Sequence, residues 1–519
     1  MGTILPELST VYSEYLLVPQ RKKIDCTPET VDLSAPLRAF NYDPAKSWGD
    51  QDSFWLNTPF MVAAMQATSD HEMGIATARE GCITTINCSR SIESEAEAIE
   101  KTKRSRGGFV VPQVLNPEMP IPEVAKISQQ TGYDRFPVTE DGTSNGRVVG
   151  LLTTDFYDEH THAQLRVKDR MITNDPNAKW QYETLSRHVT LDSEIGDDLS
   201  SANRFMREES RTRMLILVDG NGNLRRAVFM KDVDEHNRHR KTELIDEQKR
   251  YKVAAAVNTR DFKKRVPAII KAGADLLVID ASQGHDEWQE ETLRWIRKKY
   301  ADVPVISGNY VTPDGFDFAV RNGAHAVKVG IGPGSICTTR ERLRLGLGQA
   351  TAVKMIADRR DQYFLATGIY VPLIADGGVV NLSDITIAFA LGADVVMMGR
   401  FFAGYHESPT ELETIDVEAK QGGKFPMLAK PYWGEGSERA KRWRTGRYDQ
   451  NEISEGIEGY VPYKGMLNDN LPKDIRELKI AMARGGYASI RDLQKHAKYA
   501  QQTEGSMREG SPHDIFRVK

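Results

Sequence analysis

The stretch Ala272–Ser282 reads AGADLLVIDAS. Its Gly ends a helix, because Gly accepts the left-handed backbone of a helix C-terminus and lets the chain turn straight into a strand. Its second part, Leu276–Ser282, is short and almost wholly apolar, as expected of a strand buried in a parallel sheet. The phrase returns as NGAH at Asn322–His325 and LGAD at Leu391–Asp394. Around these lie eight candidate strands: Phe60–Met65, Gly81–Ile86, Lys252–Asn258, Leu276–Ser282, Pro304–Val311, Ala326–Ile331, Pro372–Val379 and Val395–Arg400. Repeated helix–Gly–strand units predict an α/β fold, a (β/α)8 TIM barrel, over an open sheet.

The rhythm breaks between the second and third strands. That gap is too long for a structureless loop in a compact domain. It holds its own repeat: Asp141-Gly142 precedes Val148–Leu152 and Thr154-Asp155, and Asp219-Gly220 precedes Ala227–Met230 and Lys231-Asp232. The second copy follows the first by about 78 residues, and each reads as strand, Asp-Gly turn, strand and helix start. The bland alternative is two unrelated hairpins. The reading gives residues 107–236 as an insert, with 1–106 and 237–519 as the two parts of the barrel.

Composition limits the remaining possibilities. The chain has 519 residues, 69 Lys and Arg against 73 Asp and Glu, and a net charge of −4. That balance gives no general affinity for nucleic acid or membranes. An apolar fraction of 40% at a mean hydropathy of −0.49 suits a large soluble core. No apolar run reaches the ~20 residues a membrane helix needs, and MGTILPELST lacks a basic segment followed by an apolar one. Four Cys at 26, 82, 88 and 337 make neither a disulfide framework nor a zinc spacing. The expectation is a cytoplasmic protein in a reducing compartment.

Chemistry concentrates at Val329–Arg340, VGIGPGSICTTR. Gly332, Pro333 and Gly334 forbid regular structure, and the loop follows the sixth strand, on the face where barrel active sites lie. A lone Cys is usually a small buried apolar residue, the reading given to Cys26, Cys82 and Cys88. Cys337 lacks apolar periodicity around it, and Arg340 with the loop N–H groups offers support for a thiolate, so a nucleophile stands beside the packing alternative. Asp376-Gly377-Gly378 ends the seventh strand and Gly399-Arg400 the eighth. Such loops often hold phosphate, with Arg as a two-pronged cation. Ser335 could join them, and Asp376 suits ribose hydroxyls. Simple turn geometry explains each Gly pair singly; together they favour a nucleoside monophosphate. The stretch Ser437–Arg447, SERAKRWRTGR, carries five cations and one anion, which a solvated loop would also explain.

These residues resemble the inosine 5′-monophosphate (IMP) dehydrogenase family nearly end to end. Tyr12–Pro19 (YSEYLLVP) is similar to its opening segment, GPGSICTTR to its catalytic loop, and DGGV at Asp376–Val379 and MMGR at Met397–Arg400 to its phosphate strands. YWGEGS at Tyr432–Ser437 and EGIEGYVPYKG at Glu455–Gly465 resemble the segments flanking its mobile flap, and the insert resembles its tandem CBS pair. The resemblance implies that Cys337 attacks C2 of the purine and hydride leaves to NAD. A flap carrying Arg447 and Tyr448 then closes, Arg447 serving as general base with Lys441, Arg442 and Arg444 helping to lower its pKa, and Thr339 holding the water. It further implies substrate contacts from Ser335, Asp376, Gly378, Gly399, Arg400, Tyr432, Gly434, Gly436 and Glu455, and cofactor contacts from Asp280, Asn309 and Lys328. A potassium ion would lie on carbonyls of Gly332, Gly334 and Cys337, with Glu509, Gly510 and Ser511 of a neighbouring subunit, in a homotetramer.

The sequence also departs from the family pattern. Ala281 and Ala63 stand where the family often has Ser, each removing a hydrogen bond of about 1 kcal/mol. In the insert, Thr153-Thr154-Asp155 falls one residue short of the Thr-x-x-Asp of nucleotide-binding CBS modules, and Phe229 takes the Thr place in the second copy. A nucleotide effector there is therefore in question. Two further readings stand beside the dehydrogenase: the sister GMP reductases, which lack the flap Arg-Tyr, and a non-catalytic CBS regulator, against which Cys337, Thr339 and Arg447 argue.

Overall fold

The computed structural model describes the chain except residues 1–3, 106–107, 132, 176, 179–180, 197, 231–232, 234–241, 249, 419–422, 443–452 and 513–519, and the side chains of 130, 131 and 442. The chain divides into two compact units, Met1–Glu100 with Lys252–Lys519, and Lys101–Tyr251.

The first unit is a closed barrel of eight parallel strands: β1 (Phe60–Val62), β2 (Ile83–Ile86), β3 (Ala254–Val257), β4 (Leu276–Ile279), β5 (Val305–Tyr310), β6 (Ala326–Val329), β7 (Leu373–Asp376) and β8 (Val395–Met398). Strands pair in chain order, and β8 closes on β1 through Val396 opposite Phe60 and Met398 opposite Val62. All eight expected strands form, each shorter than the apolar run that announced it. The lost residues lie mostly at C-terminal ends, where Ala63–Met65 and Gly377–Val379 leave the ladder to shape the loops above the barrel.

The recurrent phrase has a physical basis. Gly273, Gly323 and Gly392 hold φ of +102°, +94° and +112°, the region an L side chain avoids. The next N–H reaches back into the preceding helix, Ala274 to the Ile269 carbonyl, Ala324 to Ala319 and Ala393 to Ala388. The fourth residue grips the neighbouring strand twice. Asp394 donates its N–H to the Leu373 carbonyl (2.9 Å) and accepts the Leu373 N–H on Oδ2 (2.8 Å). Asp275 treats Val253 the same way (3.0 and 2.8 Å). In the third copy His325 donates to the Val305 carbonyl (2.8 Å) and accepts the Val305 N–H on Nδ1 (3.1 Å). A ring nitrogen accepts only when unprotonated, so this copy depends on neutral His325. Burial, then the positive charges of Arg297 and Arg38, hold its pKa down to about 4.

An antiparallel sheet of Glu413–Glu418, Lys424–Trp433 and Glu458–Pro462 follows β8 and carries Tyr432–Ser437 towards the barrel mouth. Cys26, Cys82 and Cys88 are buried thiols and Cys337 is half-buried. Among the described residues no helix is long and apolar enough to cross a membrane.

The second unit holds two hairpins, Arg135–Thr139 with Val148–Thr153 and Met214–Val218 with Leu224–Phe229. Their turns fall at the two Asp-Gly pairs. Asp219 Oδ1 accepts the N–H groups of Asn221 and Asn223 (2.9 and 3.0 Å), and Asp141 Oδ1 that of Thr143 (2.9 Å). Val189–Leu191 adds a parallel strand and Phe109–Val110 an antiparallel one to the second hairpin. The unit starts earlier and ends later than the 107–236 span read from the repeats. Lys103 Nζ (3.0 Å) and Arg250 Nε (2.9 Å) both donate to Asp246 Oδ2, which draws the flanking chain into it.

Candidate active site

The loops above the C-terminal ends of the strands enclose a cavity of about 220 Å³. The loop after β6 enters it, and a segment from beyond the flap sequence fixes it in place. The Ile457 N–H donates to the Ile336 carbonyl (3.0 Å) and the Thr338 N–H to the Glu455 carbonyl (2.9 Å), so Cys337 lies opposite Gly456 as in a short antiparallel ladder. Within the loop the Cys337 N–H turns back to the Gly334 carbonyl (3.0 Å). Arg340, read from sequence as a partner for a thiolate, commits its guanidinium elsewhere: Nε donates to the Ile331 carbonyl (2.8 Å) and Nη2 to that of Leu347. It braces both ends of the loop, with its charge still within reach of Cys337.

This ladder sets three side chains in line. Cys337 Sγ lies 3.2 Å from Thr339 Oγ1, which donates to Glu455 Oε2 at 2.5 Å. With its proton given to the carboxylate, the Thr339 oxygen can accept from the thiol S–H. The result is a thiol, hydroxyl and carboxylate relay ending inside the cavity.

A second group forms on β5, β6 and β7. Lys328 is only 2% exposed, and its ammonium donates to Asn309 Oδ1 and to Asp376 Oδ2 (3.0 Å). Asn309 Nδ2 donates to the same Asp376 oxygen (2.9 Å) and to the Gly330 carbonyl (2.5 Å). A buried cation needs such pairing, since removing one partner strands the other charge. Sequence assigned Asp376 to the substrate and Asn309 and Lys328 to the cofactor; the structure joins them in one network.

Tyr432 completes the wall. Burial pushes its hydroxyl pKa far up, with Ser335 and Arg400 easing the shift. Its hydroxyl lies 3.8 Å from Met65 Sδ. Arg400 Nη2 donates to the Val380 carbonyl (3.0 Å), tying the loops after β7 and β8.

Of the residues named from sequence, Asp280, Asn309, Lys328, Gly332, Gly334, Cys337, Thr339, Asp376, Gly399, Tyr432, Gly434, Gly436 and Glu455 line the cavity, as do Ala63 and Ala281. Ser335, Gly378 and Arg400 do not line it; Ser335 and Arg400 are exposed and Gly378 is half-buried. Glu509, at the end of helix Glu504–Glu509, and Gly510 and Ser511 after it are exposed and do not line it. Arg447 and Tyr448, with Arg444, lie outside the described residues.

Sequence reading missed Glu435. Its Oε1 accepts the Gln66 N–H (2.7 Å), its Oε2 accepts from the Ser89 hydroxyl, and it lines the cavity. Its place inside YWGEGS was the available signal. A second cavity of about 390 Å³ was also missed. It shares Asp280, Ala281, Ser282 and Glu455 with the first and continues to Arg260 and Trp288. Arg260 Cζ sits 4.4 Å over the half-exposed Trp288 ring.

Comparison with known proteins meets this geometry. The family model described as IMP dehydrogenase / GMP reductase domain matches residues 9–513. The chain belongs to the IMP dehydrogenase / GMP reductase family. It is 41% identical to the inosine-5′-monophosphate dehydrogenase of Tritrichomonas foetus over 97% of this chain and 96% of that one. The corresponding enzyme of Pasteurella multocida is 32% identical over 98% and 96%. Among solved structures, a GMP reductase from Trypanosoma brucei in complex with guanosine 5′-monophosphate superposes with a TM-score of 0.72 at 24% identity, covering 98% of each chain. That last likeness bears on the fold. Within the family the two activities share a barrel, so the choice between them rests on the site.

Proposed function

We propose that the chain oxidises IMP to xanthosine 5′-monophosphate with NAD, through a covalent adduct on Cys337. The observation that carries this is the Cys337–Thr339–Glu455 relay in a cavity that Gly377 and Gly399, from the loops after β7 and β8, also line. The phosphate would rest on Gly378, Gly399, Arg400 and Ser335, the ribose on Asp376, and the purine edge on Glu455, Gly434 and Gly436 against Tyr432. Anchoring the phosphate presents C2 to Sγ, and such positioning contributes much of a barrier reduction.

The chain's residues then act in order. The thiol proton passes by way of Thr339 to Glu455, and Sγ bonds to C2. The C2 hydrogen departs with its electron pair. NAD, when bound, accepts that hydride. Water next attacks C2, the C2–Sγ bond breaks and the thiolate leaves. The water proton goes to Arg447, or through Thr339 to Glu455. The second cavity supports the dinucleotide reading: it meets the first at Asp280, and Arg260 and Trp288 offer the planar faces on which a purine stacks.

The same reading includes a potassium ion on carbonyls of Gly332, Gly334 and Cys337. Gly334 already accepts one hydrogen bond there, and a carbonyl oxygen has a second lone pair to offer. A cation held there would steady the catalytic loop. The exposure of Glu509, Gly510 and Ser511 suits their donation to a neighbouring subunit of a homotetramer. The second unit is proposed as a CBS pair, on the support of its two Asp-Gly hairpins; Phe229 in the second copy weakens the case for a nucleotide effector. The protein is proposed as cytoplasmic, without membrane or nucleic-acid partners.

The test is spectrophotometric. Protein with IMP, NAD and potassium should produce NADH, and protein with GMP and NADPH should leave the NADPH untouched. NADPH consumption in the second cuvette would assign the reductase reaction, and silence in both would favour a regulator. Cys337→Ala should abolish NADH formation; full turnover in that variant would sink the nucleophile assignment.

A further inference from the structure

Gln349 begins the helix Gln349–Thr367, just beyond the catalytic loop, and is 1% exposed. Its Nε2 donates twice, to the Val329 carbonyl (2.8 Å) and to the Asp376 carbonyl (3.2 Å). Those two carbonyls are the roots of the two loops that meet the substrate. Val329 is the last residue of β6, before the Cys337 loop, and Asp376 the last of β7, before Gly377-Gly378.

The regular ladder between β6 and β7 runs through Val327, Lys328 and Val329 opposite Leu373, Ile374 and Ala375, and then stops. At the next position Gly330 turns to φ +138°, and a Cβ there would lie 2.4 Å from the Asp376 carbonyl and 2.8 Å from both Gln349 amide atoms. The backbones stay close but their ladder has ended, and the Gln349 amide supplies the cross-link that backbone pairing no longer gives. Lys328 and Asn309 make the corresponding link through the Asp376 carboxylate. The Gln349 stem also backs the phosphate loop, its Cβ and Cγ each 3.0 Å from where a Gly378 side chain would begin.

The first turn of the helix that carries Gln349 is held by the N-terminal segment. The Gly348 N–H donates to Ser9 Oγ (2.7 Å), the Ala350 N–H to the Thr10 carbonyl (3.1 Å), and the Thr10 N–H to Thr351 Oγ1 (2.8 Å). Tyr12 is fully buried beside it, and Gln349 partly offsets the rise in its hydroxyl pKa. A buried polar side chain that spends both amide protons on two carbonyls of different strands is a costly way to fill space.

We infer that Gln349 is a positioning residue that fixes the distance between the catalytic loop and the phosphate loop. This rests on the proposed attack of Cys337 on IMP. The consequence is specific: with phosphate anchored, C2 falls within reach of Sγ only if the two loop roots keep their spacing. A phosphate-free nucleoside feels no such constraint.

The test compares IMP with inosine, by turnover and by the concentration of each that protects Cys337 from iodoacetamide. Gln349→Met keeps the length and removes the donors, Gln349→Ala removes both, and the variant that melts as the wild type does is read. The preference for IMP over inosine should fall by at least roughly fivefold while inosine use is held. A smaller change in that ratio, or equal losses with both ligands, overturns the inference by reducing Gln349 to packing. If the wild type itself neither oxidises IMP nor is protected by it, the functional reading has failed instead.

Discussion

His325 is the odd member of three otherwise equivalent strand clamps, and its chemistry makes the barrel sensitive to pH. Its Nδ1 must accept the Val305 N–H, and its pKa in the folded chain lies near 4. An unfolded histidine titrates near ~6.5, so between these values the unfolded chain takes up a proton that the fold refuses. The clamp's contribution is therefore complete above pH ~6.5 and is lost as pH falls towards 4. Linkage between the two values makes the loss from pH 7 to pH 5 roughly 2 kcal/mol. His325→Asp restores the residue of the two sister phrases, whose carboxylates accept the same strand N–H at 2.8 Å, and places an anion beside Arg297 and Arg38. Urea unfolding of wild type and variant, followed by tryptophan fluorescence at pH 7 and pH 5, isolates the term, because the other titrating groups are common to both and the introduced carboxylate, ordinarily near ~3.9, stays ionised over that range. The variant should match or exceed the wild type at pH 7 and lose about 2 kcal/mol less on acidification. Equal losses in the two proteins would refute the reasoning.

Two further outcomes concern the site. Thr339→Val removes the hydroxyl between Cys337 and Glu455, a link worth about 1.5–3 kcal/mol when one partner is charged. Single-turnover NADH formation should slow by roughly tenfold or more while the IMP concentration for half-protection of Cys337 moves by less than about threefold. Trp288→Ala removes the stacking face under Arg260. Because base stacking on an aromatic side chain is worth about 1–3 kcal/mol, the KM for NAD should rise roughly tenfold with that for IMP unchanged.

Which parts of this architecture the sequence carried has a physical explanation. The strands were legible because burial on both faces makes them apolar throughout, and their spacing was legible because one backbone problem, ending a helix and clamping a strand, is solved three times by Gly-Ala-Asp or Gly-Ala-His. The Cys337 loop was legible because its glycines and proline exclude helix and sheet. The relay was not. Thr339 and Glu455 are far apart in the chain, and the short ladder of Ile336 with Ile457 and Thr338 with Glu455 brings their side chains together. The same holds for Lys328, Asn309 and Asp376, each recognisable alone as a polar residue in an apolar strand but partnered only by barrel closure. Arg260 and Trp288 left no local signature, since their contact joins a turn after one strand to the first turn of a helix after the next.

The choice between oxidation and reductive deamination rests on what happens to the adduct. Both begin with a thiolate at C2, so the Cys337 loop alone does not separate them. Hydrolysis needs a base near C2 after hydride has gone, and on the proposed reading Glu455, joined through Thr339 to the sulfur, would be such a base. In the proposed mechanism it takes the thiol proton in the first half-reaction, so it would have to lose that proton before taking one from water. A single carboxylate would thus make hydrolysis wait on its own deprotonation, which a second base such as Arg447 would remove. Arg447→Ala should then leave the rapid first turnover of NADH intact and slow the steady state, with that slowing relieved as pH rises. If the first turnover slowed equally, Arg447 would belong to the redox step, and Glu455 would be the base for water as well as for the thiol.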